Sequence, residues 1–223
     1  MASLVAAFAF VFGLLGADGL AAQTPERFEF SEVHMGTEFR IVFYASGAQA
    51  ADAAARSTFA ALARLDSLFS DYRDDSEIAE VAARAGSGAL HVASPELTSL
   101  LTEAVRWAER SGGAFDPTLG PLTKLWRWSA RRGELPDSSR LHEAKSRVGF
   151  EGLRVEPSGG VALVRSGMSL DLGGIAKGFA GDVMLAILAG YGVEAALIDA
   201  GGDLVAGAAP PGTDGWRVSG SNG

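Results

Sequence analysis

The residues best suited to chemistry lie in one short run, Asp171 to Gly178, with the sequence DLGGIAKG. A carboxylate precedes two glycines, and Lys177 follows in the predicted first turn of a helix. Glycines allow the backbone to approach a ligand closely, and a helix N-terminus with a lysine suits phosphate. Since a carboxylate repels phosphate, Asp171 is expected to accept from a ligand N–H or O–H, or to bind a metal. The run therefore predicts a nucleotide-like site with a hydrogen-bond acceptor beside it.

The alternative for this run is a tight strand-to-helix turn with no ligand, because glycine-rich turns of that kind are common. The run lacks the G-x-x-x-x-G-K-[ST] spacing of a phosphate-binding Walker A loop and the G-x-G-x-x-G spacing of a dinucleotide fingerprint. Taken alone, the run leaves both interpretations open.

Four other loops share the chemical character of this run. They are His34–Thr37, Ser70–Arg73, Gly113–Thr118 and Gly201–Asp203. With the first run they offer a thioether, an aromatic ring, carboxylates, a lysine and several glycines. That mixture would suit a flat aromatic ligand that carries phosphates.

Periodic patterns predict the elements that position these loops. Alternating residues predict strands at 28–33 and 38–44, and Phe59, Leu62, Leu65 and Phe69 recur at the spacing of an amphipathic helix. Further strands are expected at 153–155, 161–165, 168–171, 195–199 and 204–206, and further helices at 77–84, after the N-cap Ser94, and at 122–128, 141–148 and 175–188. Because strands and helices alternate irregularly, the chain is predicted to be α+β, with mixed sheets flanked by helices, rather than doubly wound.

Composition limits the function classes. The 223 residues, of which 48% are hydrophobic, suit one globular domain with a substantial core or two small ones. A net charge of −8 disfavours nucleic acid as a partner. The chain has no cysteine, which excludes disulfides, thiolate catalysis, cysteine-bound zinc and iron–sulfur clusters.

The N-terminus predicts export. An apolar run at 2–15 is too short for a comfortable membrane span, and small residues follow it as in a cleavage zone. We expect a signal peptide at 1–22, cleaved near Ala21 or Ala22, a mature domain at 23–223, and a location in the periplasm or on the outer face of the inner membrane. No Lys or Arg precedes the run, so a buried first helix is the alternative.

Five motifs together resemble the ApbE family of flavin transferases, the FAD:protein FMN transferases. In order they are MGT at 35–37, S-x-Y with DSEI at 70–78, GAFDPT-x-GPL at 113–122, DLGGIAKG at 171–178 and DAGGD at 199–203. Each is weak alone, whereas five in this order are specific. The resemblance implies an ApbE-like, T-fold-like α+β architecture in a protein that is exported or membrane-attached.

The resemblance implies roles for the first three motifs. Met35 would line the flavin pocket, and Tyr72 would pack on an aromatic ring of FAD. Ala114, Phe115 and Asp116 would present backbone and carboxylate to the flavin nucleotide. The alternatives are a surface turn for Tyr72 and, for Asp116, an Asx turn closed on its own backbone.

The resemblance also implies roles in the glycine run. Asp171 would accept from the adenine or ribose part of FAD, and Lys177 would meet the phosphates unless it is only a solvated helix lysine. The position of Gly174 supplies a Mg²⁺ ligand in the family. A glycine there can offer only its backbone carbonyl, which is an acceptable ligand for a hard cation.

The activity implied is Mg²⁺-dependent transfer of FMN from FAD to a Thr or Ser hydroxyl of a client protein, with release of AMP. Clients would be flavoprotein subunits of membrane electron-transport complexes. The alternatives are a non-catalytic periplasmic flavin-binding protein, an FAD pyrophosphatase, and a small domain whose glycine loops are only turns. Family members continue past Val218 with strands that carry a histidine loop and an Asp and a Thr of the metal site. Since residues 219–223 read SGSNG, we expect the C-terminal part of the domain to be missing.

Overall fold

The structure, a computed structural model, describes residues 24–219. Its strands are β1 (Glu26–His34), β2 (Thr37–Ala45), β3 (His91–Val92), β4 (Leu153–Val155), β5 (Gly160–Leu163), β6 (Ala196–Ala200) and β7 (Asp203–Ala206). Its helices are α1 (Ala48–Phe69), α2 (Glu77–Ala83), α3 (Pro95–Arg110), α4 (Gly120–Arg132), α5 (Ser138–Ser146) and α6 (Ala176–Gly190), with a 3-10 turn at Phe150–Gly152. The expected leader at 1–22 lies outside the described residues.

The larger sheet is antiparallel throughout and has the strand order β1-β2-β6-β7. Successive side chains of a strand point to opposite faces, so Phe39, Ile41 and Phe43 of β2 share one face, and all three are fully buried. Their partners on β6, Ala200, Ile198 and Ala196, are also fully buried. One face of this sheet therefore forms a wall of the core.

Two helices, α1 and α6, cover that buried face. Helix α1 is alanine-rich on its inner side, which lets its backbone approach the sheet, and it adds the larger side chains of Phe59, Leu62 and Leu65. Each large apolar side chain buried in this way contributes about 1.5–3 kcal/mol. The ends of α1 and α6 thereby fix the loops at one end of the sheet.

The smaller sheet has the order β3-β5-β4 and is also antiparallel. Its Val161, Leu163 and Leu153 join the same hydrophobic core as the larger sheet, together with the inner side of α3. The predicted α+β class is confirmed, since two sheets and their flanking helices share one core. Among residues 24–219, no helix combines the length and apolarity needed to cross a bilayer.

The predicted strand at 168–171 does not join a sheet. Met168 and Leu170 are buried as the alternation implied, but the one pairing of the segment is a parallel bridge between Ser169 and Leu119. The backbone N–H of Asp171 then donates to the carbonyl of Pro117 at 2.9 Å. The alternation correctly indicated burial on one side. A loop, however, supplies the partner, so Asp171 ends an extended segment rather than a sheet strand.

Candidate functional site

A groove of about 670 Å³ opens where the loops at one end of the larger sheet meet the start of α6. Four of the predicted site residues line it, namely Met35, Tyr72, Asp171 and Lys177. The described residues also form a larger cleft of about 720 Å³ between α2, α4 and α5, whose lining includes none of the predicted residues. The first groove is therefore the candidate site.

Met35 enters the groove from the tight turn between β1 and β2. The turn contains only Met35 and Gly36, and their φ angles are +50° and +74°. Positive φ at both positions matches the right-handed twist of a hairpin, but it is uncommon for a residue with a long side chain. The side chain is half-buried against the core beside the groove. Met35 therefore keeps a strained backbone conformation at the position that faces the candidate site.

Tyr72 follows the C-terminus of α1 and presents its ring to the groove. Tyr72 is 76% exposed, although the guanidinium of Arg127 lies over its ring at 4.3 Å from the ring centre. Arg127 also donates a hydrogen bond to the preceding residue, Asp71. The exposed ring is available to stack on a second aromatic group.

Asp171 uses one carboxylate oxygen locally and turns the other toward the groove. Its Oδ1 accepts from the backbone N–H of Gly173 at 2.9 Å, which closes the turn into α6. Its Oδ2 lies 3.9 Å from Nη2 of Arg127, and 17% of the side chain is exposed. The second oxygen is therefore placed to accept a hydrogen bond from a ligand.

Lys177 lies in the first turn of α6, as predicted, but it has a protein partner. Its Nζ lies 2.7 Å from Oδ2 of Asp203 and 3.4 Å from the carbonyl oxygen of Ala200. This ion pair joins the glycine run to the hairpin turn between β6 and β7. Asp203 is 58% exposed, so the pair is weak in water, and a phosphate could replace the carboxylate at small cost.

The charges that line the groove are balanced in this structure. Its cationic groups are Arg73, Arg127 and Lys177, and each has a carboxylate partner. Arg73 pairs with Asp75 at 2.7 Å, outside the groove lining. A dianionic ligand would therefore have to displace a carboxylate or bring a counter-ion.

Three predicted residues, Ala114, Phe115 and Asp116, lie behind the glycine turn and do not line the groove. Asp116 is 8% exposed, and its Oδ1 accepts from the backbone N–H and the hydroxyl of Thr118 at 2.8 and 2.6 Å. Its Oδ2 accepts from the backbone N–H of Phe150 at 3.0 Å. Asp116 therefore closes the predicted Asx turn, and its second carboxylate oxygen links this loop to the 3-10 turn. A flavin role for these three residues stays a prediction.

Gly174 lies in a neighbouring groove of about 510 Å³, on the other side of the glycine turn. A Cβ built on it would lie 3.4 Å from the ring of Phe115, which is an ordinary van der Waals contact. Asp182 and Asp203 line the same groove. Within residues 24–219, however, no three His, Cys, Asp or Glu side chains are grouped so that they could hold a metal ion. A Mg²⁺ role for the carbonyl of Gly174 therefore stays a prediction, and residues 24–219 provide no grouped side-chain ligands beside it.

Arg127 lines the groove but was not singled out by the sequence, whereas Asp203 was named only as part of a glycine loop. Arg127 lies on α4, in a run with three other basic residues, and nothing in that run distinguishes it. Asp203 belongs to a recognised motif, but its pairing with Lys177 depends on how α6 packs against the hairpin. The contacts of both residues could be identified only from the tertiary structure.

Comparison with known proteins gives a consistent result. A sequence profile of the ApbE family matches residues 35–222. An FAD:protein FMN transferase of Treponema pallidum is 38% identical over 183 residues, which is 79% of this chain and 50% of that protein. Another, from Chlamydia muridarum, is 30% identical over 158 residues, 70% of this chain and 49% of that protein. This chain thus spans about half the length of these curated relatives.

Solved structures give the same fold. The flavin transferase ApbE from Vibrio cholerae has a TM-score of 0.78 at 25% identity, with 87% of this chain and 63% of that chain covered. The apo form of the flavinyl transferase ApbE from Pseudomonas stutzeri also has a TM-score of 0.78, at 26% identity, with 87% and 62% covered.

Proposed function

Because the chain belongs to the ApbE family, we propose that its groove binds FAD as part of an FMN transferase that acts on a client protein. The observation that carries this proposal is the convergence of Met35, Tyr72, Asp171 and Lys177, from three separate motifs, on one groove of about 670 Å³. The relatives in Treponema pallidum and Chlamydia muridarum, which are FAD:protein FMN transferases, support the same assignment.

The groove supplies each kind of contact that FAD needs. The exposed ring of Tyr72 offers a stacking surface for an aromatic ring, and Oδ2 of Asp171 offers an acceptor for an N–H or O–H group. Lys177 and the N-terminus of α6 offer positive charge for the pyrophosphate. The N-cap residue, Ile175, makes no side-chain cap hydrogen bond there, while the N–H of Ala176 donates to the carbonyl of Leu172 at 2.8 Å.

The proposed reaction breaks the phosphoanhydride linkage of FAD and forms a phosphoester. A Thr or Ser hydroxyl oxygen of the client attacks the phosphorus on the FMN side of the pyrophosphate. The bond from that phosphorus to the bridging oxygen breaks, AMP leaves with that oxygen, and the hydroxyl proton passes to solvent or to a base. The client then carries FMN through a phosphoester, and no oxidant or reductant is consumed.

The proposal includes a Mg²⁺ requirement, because a departing AMP develops negative charge that a divalent cation neutralises. The described residues contribute the Gly174 carbonyl and no grouped carboxylates, so we assign no step of the reaction to a metal.

We also propose export to the periplasm or the outer face of the inner membrane, with client subunits of membrane electron-transport complexes. The apolar run at 2–15 supports the location.

A non-catalytic flavin-binding protein is the second candidate. It is favoured by the lack of a grouped metal-ligand set among residues 24–219. Binding and transfer therefore need separate measurements on the full 223-residue chain. Quenching of FAD fluorescence reports binding, while AMP release and flavin retained on a client peptide after denaturation report transfer, each with and without Mg²⁺.

The binding measurement has a matched control. Tyr72→Leu removes the groove ring, whereas Tyr191→Leu removes a half-exposed tyrosine at the C-terminus of α6. We expect Tyr72→Leu to weaken FAD binding about tenfold, since base–aromatic stacking contributes about 1–3 kcal/mol, and Tyr191→Leu to leave it unchanged. Equal affinities in both variants would remove the groove as the flavin site. FAD bound without AMP release would leave only the second candidate.

A further inference from the structure

One side chain, Arg127, connects the two motif loops that face each other across the groove. Its guanidinium lies 4.3 Å from the centre of the Tyr72 ring and donates a hydrogen bond to Asp71. The same group lies 3.9 Å from Oδ2 of Asp171. A ring for stacking and a carboxylate for hydrogen bonding thus lie beside one planar cation on α4, and Asp171 is at ion-pair distance from it rather than hydrogen-bonded to it.

The surroundings of Arg127 differ from those of a surface arginine. Only 29% of its side chain is exposed, and its partners Asp71 and Asp171 are 13% and 17% exposed. Ion pairs and cation–π contacts strengthen when water is excluded from them. Arg132, five residues later on the same helix, lies 4.9 Å from the ring centre of Trp128 and is 55% exposed. It makes a similar contact outside the groove.

The loop that carries Tyr72 makes few contacts that could fix the position of the ring. Tyr72 is 76% exposed, and its backbone N–H makes only a long hydrogen bond of 3.4 Å to the hydroxyl of Ser70. A guanidinium is planar and can cover one ring face while its N–H groups bind carboxylates at its edge. With one face covered by Arg127, the ring is fixed in orientation and its remaining surface stays open to the groove.

We propose that Arg127 is a positioning residue that holds the Tyr72 ring at a fixed place relative to Asp171, so that both groups meet the same bound FAD. The inference rests on the proposed FAD site and adds a residue to it. Arg127 acts through the ring rather than on the ligand itself. Loss of the guanidinium leaves Tyr72 mobile, and the ligand must then order the ring when it binds.

The contact itself can be tested without any ligand. The chain has three tyrosines, so the ring signals of tyrosine-labelled protein are few, and Tyr72→Phe assigns the relevant one. We expect Arg127→Gln to shift the Tyr72 ring signals toward those of a free tyrosine, and Arg132→Gln to leave them in place. Unmoved Tyr72 signals in Arg127→Gln would overturn the proposal. This readout holds even if wild-type protein binds no FAD, the result that would reject the proposed function instead.

The route through the ring can be tested by a double-mutant cycle on FAD affinity. We expect Arg127→Gln to weaken binding about tenfold in the wild-type background and less than about threefold in a Tyr72→Leu background. The same loss in both backgrounds would show that Arg127 acts independently of the ring and would overturn the proposal. Arg127→Lys keeps the charge but not the planar fork, so it should recover less than half of the lost affinity on a logarithmic scale. Arg132→Gln should bind FAD as wild type does.

Discussion

Thr37 and Gly201 lie against each other at the end of the larger sheet that carries the groove. A Cβ built on Gly201 would lie within 2.9 Å of the Cβ of Thr37 and closer still to its hydroxyl oxygen. Gly201 also has a φ of +64°, as the hairpin turn between β6 and β7 requires. Two motifs distant in sequence, MGT and DAGGD, therefore meet through a contact that only glycine permits.

We predict that Gly201→Ala destabilises the fold more than a glycine substitution that meets only backbone strain. Gly133 is the matched control, because its φ is +66° and a Cβ on it would have no neighbour within 4 Å. Gly133→Ala should lower the free energy of unfolding by about 1–2 kcal/mol. Gly201→Ala should lose about 1–3 kcal/mol more from overpacking against Thr37. Urea unfolding measures both, and equal losses would show that the two loops do not touch.

Local sequence patterns predict some elements of this fold, whereas other features depend on tertiary contacts. The hairpin of β1 and β2 and the helices α1 and α6 could be predicted from periodicity, because β2, α1 and α6 each carry buried apolar residues at regular spacing. The segment at 168–171 has the same alternation without a sheet partner, since alternation reports burial and not pairing.

The candidate site shows the same limit. Motif resemblance predicted that Met35, Tyr72, Asp171 and Lys177 belong to one site, and all four line the same groove, while their roles toward a ligand stay predictions. The same resemblance also named Asp116, whose carboxylate accepts three hydrogen bonds within the protein and whose flavin role stays a prediction. Hydrogen-bond satisfaction depends on which distant N–H groups arrive, and no local pattern specifies that.

We predict that Met35→Asn weakens FAD binding and changes stability little. Asparagine tolerates the φ of +50° at this position better than methionine does. The relief of about 1 kcal/mol is offset by the loss of a half-buried side chain. Met35→Leu is the control, since it keeps the apolar contact in the groove. FAD titration should show at least a threefold loss for Met35→Asn relative to Met35→Leu. The same affinity in both variants would place Met35 outside the flavin contact.

We predict that Arg64, on α1, lowers the pKa of Glu96, in the first turn of α3. This ion pair joins the two helices. Nε and Nη2 of Arg64 donate to the two carboxylate oxygens at 2.8 and 3.3 Å. The pKa of Glu96 is therefore below its ordinary value of 4.5, first through Arg64 and then through a backbone hydrogen bond. Since the folded pKa is the lower one, the pair stabilises the fold above pH 4.5 and loses that effect as the pH falls through the folded pKa.

The measurement is an NMR titration of the Glu96 carboxyl carbon in wild-type protein and in Arg64→Met. We expect the pKa to rise in the variant and to stay somewhat below its ordinary value, because the backbone hydrogen bond remains. An unchanged pKa would mean that the ion pair does not persist in solution.

We predict that the mature protein begins near Gln23 and lies outside the cytoplasm. The apolar run at 2–15 and the small residues at 17–22 have the pattern of a cleaved leader. N-terminal sequencing of protein from a periplasmic extract tests this. Protein that retains Met1 in a cytosolic fraction would contradict it.

We predict that Asp171→Asn weakens FAD binding about tenfold or more while the fold stays intact. The amide oxygen of asparagine can still accept from the N–H of Gly173, so the turn into α6 should survive. The substitution removes the charge from the oxygen that faces the groove, and a lost charge-assisted hydrogen bond costs about 1.5–3 kcal/mol.

Asp52→Asn, on the exposed side of α1, is the control for a change of net charge alone. Fluorescence titration at two salt concentrations separates the effects, because a contact with the ligand persists at high salt whereas long-range attraction is screened. If Asp171→Asn and Asp52→Asn bind FAD equally, Asp171 has no contact with the ligand, and its carboxylate serves only the turn.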